Sequence, residues 1–135
     1  MSETKFRRLS VKRGLEKARA LLTKNWTSGS MARLGNGRAI EADEVEDPKT
    51  CTFCAVGALR YVFGSEEHPN YVKAIRTLEP PASRRLKKKG LIYSVTDDPG
   101  YEFEDRVDNV IRMNDRLGQK ATLSAFTSAI RAVTQ

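Results

Sequence analysis

A single histidine, His68, and two cysteines, Cys51 and Cys54, are all that this chain offers for soft metal ligation or imidazole chemistry. A structural zinc site needs about four such ligands, and Cys51-x-x-Cys54 has no second pair to complete it, so neither a metal site nor a cofactor is expected. A redox dithiol meets a similar objection. The segment before Cys51 is acidic and irregular, where a thioredoxin-like motif would follow an apolar parallel strand. Apolar runs long enough to cross a bilayer are missing, and the basic stretch Met1 to Arg8 has no apolar core behind it as a signal peptide would. A cytoplasmic protein without membrane contact is therefore expected, with both cysteines as thiols. Internal repeats, low-complexity tracts, phosphate-loop glycines and the signatures of helix-turn-helix or RNA-binding modules are missing too.

What the chain does have is charge, unevenly spread. Its 135 residues carry a formal net charge of +7. Eight basic side chains against two acidic ones fall within residues 1–25, and five against none fall within 81–90. Acidic blocks oppose them: Glu41, Asp43, Glu44, Glu46 and Asp47 form one, and Asp97, Asp98, Glu102, Glu104, Asp105 and Asp108 fall in another. So much acid argues against a uniformly basic nucleic-acid module. The length is that of one domain with a core of its own. We expect a flexible basic arm over residues 1–9 and one globular domain over 10–135.

The longest nearly uncharged run, Cys51 to Phe63, is charged only at Arg60. A segment apolar on every face is buried on every face, so it predicts a central helix over about 52–63, with Thr50 or Thr52 at its N-cap and Gly64 as its stop. Val11, Leu15, Ala18 and Leu22 recur at helical spacing behind a capping Ser10, predicting a helix to Lys24 or Asn25. Asn36-Gly37 predicts a hairpin over about 31–40 through a primed turn, with Trp26 packed between it and the first helix. Asn70 to Leu78 reads as a short helix stopped by Pro80-Pro81. The stretch Ala82 to Lys89, with Leu86 as its one large apolar residue, is then placed on the surface. Leu91 to Val95 has strand composition. Phe103, Val107, Val110, Ile111 and Asn114 share a helical face that leaves Asp105, Arg106, Asp108, Asn109 and Arg112 to water. Gly118 closes that helix, and Thr122 caps a last one built on Leu123, Phe126, Ile130 and Val133. The expected fold is α+β, mostly α, with four to five helices around the central one and a small β-hairpin.

Few residue sets here carry chemistry. Cys54 in the first turn of a helix could have its thiolate favoured by the helix dipole, with His68 as base and Asn114 or Asp115 orienting the imidazole. That set is generic, and the bland alternative is a small buried cysteine and a capping Asn-Asp pair. Arg84, Arg85, Lys87, Lys88 and Lys89 make a local positive field suited to phosphates or an acidic protein surface, and Arg7 and Arg8 in the arm extend it. Aromatics interleaved with these cations, which would point to base stacking, are missing apart from Tyr93.

Taken in order, Asn25-Trp26-Thr27-Ser28-Gly29, Asn36-Gly37-Arg38, Phe53-Cys54-Ala55-Val56-Gly57-Ala58-Leu59 and Asn114-Asp115 followed by Thr122 and Ala129 resemble a family of small uncharacterised proteins of bacteria and their phages. The resemblance covers residues 11 to 133. Met113 stands where the family pattern has an aromatic residue, and Cys51 falls outside it. The resemblance implies one shared framework of Trp26, Cys54, Gly57, Asn114 and Asp115, which either pack and cap one another or line a common pocket. The reading that follows is a non-enzymatic accessory protein that binds a host or viral macromolecule through its basic segments. A cysteine-dependent enzyme using Cys54 and a non-sequence-specific nucleic-acid-binding protein are the alternatives.

Overall fold

The computed structural model describes residues 8–91 and 102–133. Four helices, α1 (Val11–Lys24), α2 (Ala55–Phe63), α3 (Pro69–Lys88) and α4 (Phe103–Ala132), are joined by a small sheet of β1 (Ala32–Arg33), β2 (Ala39–Ile40) and β3 (Thr52–Phe53), whose β3 packs against α1 and α2. The architecture is the expected mostly helical α+β. The strand expected over Leu91 to Val95 lies outside the described residues beyond Leu91, as does the arm up to Arg7.

Helix α1 forms as its pattern dictates. Ser10 Oγ accepts from Arg13 N at 3.1 Å, Asn25 closes the other end, and Leu15, Ala18 and Leu22 are fully buried. Gly14 sits mid-helix, where glycine normally costs stability, because the Phe63 ring lies against its backbone: an added Cβ would stand 2.0 Å from Phe63 Cζ.

The segment 51–63 divides differently from its sequence reading. Thr52 and Phe53 are extended and pair antiparallel with β1, Ala32 opposite Phe53 and Arg33 opposite Thr52, giving the order β2-β1-β3. Thr52 is β-branched and Phe53 aromatic, and the unpaired edge of β1 offers them a ladder, so the helix starts only after Cys54. The N-cap is Cys54, not Thr50 or Thr52. The hairpin is also looser than a two-residue primed turn. Leu34 O accepts from Gly37 N, and Gly37 alone takes positive φ (91°), so Asn36 keeps an ordinary conformation and its side chain accepts from Arg38 N at 2.9 Å.

The larger correction concerns α3, which runs through Pro80 and Pro81 to Lys88. Two adjacent prolines remove two helical N–H donors, yet tertiary packing against α4 holds the backbone in register. Ala82 and Leu86, expected on the surface, are buried there together with Pro81. A buried polar network joins the same two helices. Glu79, 1% exposed, accepts from Arg106 Nη1 and Asn109 Nδ2, each at 3.0 Å, and from Ser83 Oγ. Asn109 is therefore interior and Arg106 half-buried, where the helical wheel had assigned both to water. A lone apolar count cannot find such positions, because the inward-facing residue is a carboxylate whose partners come from another helix.

Helix α4 bends at Gly118, whose φ of 93° and ψ of −176° are not helical, which is the break the sequence predicted. Thr122 does not cap the second half; it lies within it and its hydroxyl donates to Gly118 O at 2.9 Å. Arg19 Nε donates to Leu123 O and Thr127 Oγ1, and Gln119 Nε2 to Leu22 O and Thr23 O, tying α4 to α1. Among the described residues no helix is long and apolar enough to cross a membrane.

Candidate functional site

Trp26, Cys54, Gly57, Asn114 and Asp115 come together where the loop after α1, the start of α2 and the middle of α4 meet. Asn114 is fully buried and uses its whole amide. Its Oδ1 accepts from Trp26 Nε1 at 2.9 Å and from Ala55 N at 3.0 Å, while Nδ2 donates to Thr27 O and Asp115 Oδ1, each at 3.0 Å. Asp115 Oδ1 also accepts from Gly29 N at 3.1 Å. One Asn-Asp pair thus clamps the loop over residues 26–29 and satisfies the first N–H of α2.

Cys54 completes that helix end. Its Sγ accepts from Gly57 N at 3.3 Å, its S–H donates to Met31 Sδ at 3.9 Å, and its own N–H donates to Met31 O at 3.0 Å. Burial pushes the thiol up to about 11, outweighing the N–H groups of Gly57 and Val56 that pull it down, and Asp115 adds to the rise. The helix terminus that could have favoured a thiolate lies in a site too dry to support one.

His68 is not part of this cluster. It caps α3, its Nδ1 accepting from Asn70 N at 3.0 Å, and its ring lies 5.0 Å from that of Phe63. Phe63 is the last residue of α2 and Cys54 its N-cap, so about 13 Å of helix separates the regions that thiol and imidazole occupy. The four residues considered for cysteine catalysis therefore divide into Cys54, Asn114 and Asp115 at one end and His68 at the other. Cys51 is a second buried free thiol, and no group of three or more His, Cys, Asp or Glu gathers as a metal site among the described residues.

A cleft of about 400 Å³ opens beside Cys54 and Asp115, walled by Met31, Ile40, Ile111 and the carboxylates Glu41 and Glu44. Glu44 Oε1 accepts from Glu41 N at 2.7 Å in a reciprocal cap of the short turn over Ala42–Glu44. Three carboxylates at its margin make this cleft repel anions.

The basic residues are placed elsewhere. Arg84, Lys87, Lys88 and Lys89 are exposed at the end of α3 and make no ion pair among the described residues. Arg85 is different: its guanidinium donates to Pro81 O at 3.0 Å, Ser124 Oγ at 2.7 Å and Ser128 Oγ at 3.4 Å, holding α3 on α4. Arg8 is exposed, and Arg7 lies outside the described residues.

The model of a family of unknown function, DUF6197, matches residues 7–132. The chain belongs to that family. No curated protein and no solved structure matches it. The DUF6197 match spans every element above, from the residues before α1 to the last turn of α4.

The Cys54 environment gives this DUF6197 protein a testable alkaline limit. Its folded-state pKa is raised above the usual 9.0, so the stabilisation is complete below about pH 9 and is lost as pH climbs through about 11. A shift of this size corresponds to about 3 kcal/mol between the two limits. Urea denaturation from pH 8 to 11 should show that loss in the parent and a shallower one in Cys54→Ala. Equal slopes would mean that the thiol ionises as readily in the folded protein as in the unfolded chain.

Proposed function

We propose that this protein is a non-enzymatic accessory protein that binds a polyanionic host or viral macromolecule through the exposed end of α3. The observation that carries the reading is the row of Arg84, Lys87, Lys88 and Lys89: four cations on a well-anchored helix end, with no ion pair among the described residues. Cations at a helix C-terminus are also favoured by the dipole, and Lys87 and Lys88 lie in the last turn and Lys89 at its C-cap, where that effect acts; Arg84 lies before them. A cluster of this density, held by Leu86 below and by Arg85 on the serines of α4, presents its charge on a rigid support. The buried protonated thiol of Cys54 and the distant His68 favour binding over cysteine catalysis. The Trp-Thr, Phe-Cys-Ala-Val-Gly-Ala-Leu and Asn-Asp pattern supports an origin in bacteria or their phages, where small basic domains act on macromolecular partners. The cytoplasm is the compartment in which two free thiols and such a partner coexist.

The test is a quadruple charge reversal, Arg84→Glu with Lys87→Glu, Lys88→Glu and Lys89→Glu, leaving Arg85 in place because it holds α3 on α4. The tagged parent should retain its partner from host lysate with nuclease present, or a labelled nucleic acid whose affinity falls steeply with salt. The reversal should reduce retention by about tenfold or more, in keeping with several lost charge contacts. A folded reversal variant that binds as the parent does would overturn the proposal.

A further inference from the structure

Helix α1 carries a second stripe that its core-facing residues do not explain. Leu15, Ala18 and Leu22 fill the interior, whereas Lys17, Ala20, Leu21 and Lys24 recur at i, i+3, i+4 and i+7 on another face. This face borders a groove of about 460 Å³ whose far wall is Pro48, Tyr61 and Val62, with Lys49 on its margin. Ala20 is exposed, and Leu21 and Tyr61 are half-buried, so an apolar floor is open to solvent. Lys17, Lys24 and Lys49 are all exposed, and none of the three forms an ion pair among the described residues. The Tyr61 ring packs from behind on Phe53 of β3, with 5.4 Å between the ring centroids.

We infer that this groove docks an acidic amphipathic helix of a partner protein, with large apolar side chains seated on Leu21 and Tyr61 and carboxylates facing Lys17, Lys24 and Lys49. Charge decides the occupant. An anion-bearing segment gains three cations at the margin, while a basic or neutral segment leaves them facing its own charge or low-dielectric apolar surface. Length agrees: Lys17 to Lys24 spans about 10 Å of α1, two turns of a docked helix presenting anchors three or four residues apart. The surface is separate from the end of α3, so it adds a protein contact that the α3 reading does not require.

The experiment is selection of a displayed random-peptide library on the full chain, followed by anisotropy measurements with a labelled recovered peptide. Recovered sequences should be rich in Asp and Glu and share two large apolar residues three or four apart. Ala20→Arg, which fills the groove from an exposed helical site, should weaken the peptide by about tenfold or more. The combined Lys17→Glu, Lys24→Glu and Lys49→Glu variant should do the same without blocking the floor. Thermal melting establishes that both are folded, and the α3 charge reversal should leave peptide affinity unchanged, so the two surfaces fail separately. Recovery of no peptide, of basic or neutral peptides, or of peptides indifferent to Ala20→Arg would overturn the inference. So would concentration-dependent self-association abolished by Ala20→Arg, which would assign the groove to a second copy.

Discussion

Replacing Gly57 by alanine is expected to destabilise the protein by about 3–5 kcal/mol, against the about 1 kcal/mol gain that Gly→Ala gives in an open helix. The cause is a backbone-to-backbone approach. A Cβ at position 57 would stand 1.9 Å from Met31 O, 2.7 Å from Met31 C and 3.1 Å from Met31 Cα. Side-chain repacking cannot relieve that contact, because the obstructing atoms are main chain. Met31 O also accepts the Cys54 N–H at 3.0 Å, so pushing it aside weakens the bond that seats the start of α2 beside β1. A domain of this size is stable by about 5–15 kcal/mol, so the variant should denature at markedly lower urea or lose its cooperative transition. A Gly57→Ala protein within about 1 kcal/mol of the parent would show that the two segments can separate freely.

That approach also shows how far the sequence could be read. Ser10, Gly64 and Gly118 marked helix boundaries where the structure has them. These signals are local: a cap, a left-handed glycine or an apolar period acts within a few residues. Where a distant partner decides, local reading failed. Thr52 and Phe53 belong to an apolar run that reads as helix, but β1 takes them into a sheet. Pro80 and Pro81 read as a stop, but burial of Ala82 and Leu86 and the Glu79 network on α4 carry α3 past them. Arg85 looked like one of five equivalent surface cations until Ser124 and Ser128, some forty positions away, were found beneath it. Cys54, Asn114 and Asp115 could be grouped from the residues alone, but Trp26 and Gly57 joined them only through the family resemblance, since nothing in the spacing announces that Trp26 and Ala55 share the Asn114 amide.

Asn114→Asp should separate a framework that packs and caps from one that serves a ligand. The substitution keeps shape and retains the oxygen that accepts from Trp26 Nε1 and Ala55 N. It removes the Nδ2 donor and leaves Thr27 O and Asp115 Oδ1, each 3.0 Å from that nitrogen, facing a second acceptor. If ionised, the new carboxylate is fully enclosed and adjacent to an existing one; if protonated, it has one hydrogen to offer two acceptors. The ionised state costs about 3–5 kcal/mol, the range for an uncompensated buried charge, and the protonated one gives up an ionisation that the unfolded chain keeps at neutral pH. The sign with pH follows directly. Enclosure raises the introduced carboxyl's folded-state pKa above its unfolded value of about 3.9, so its destabilisation is smallest below that value and grows as pH rises through the folded one. Denaturation midpoints for Asn114→Asp should therefore move toward the parent's as pH is lowered from 7 to about 4, while Asn114→Ala should lose stability with no such recovery. If Asn114→Asp matched the parent at pH 7, the amide would not hold the loop, α2 and α4 together, and its neighbours would have to be explained by what enters the cleft beside them.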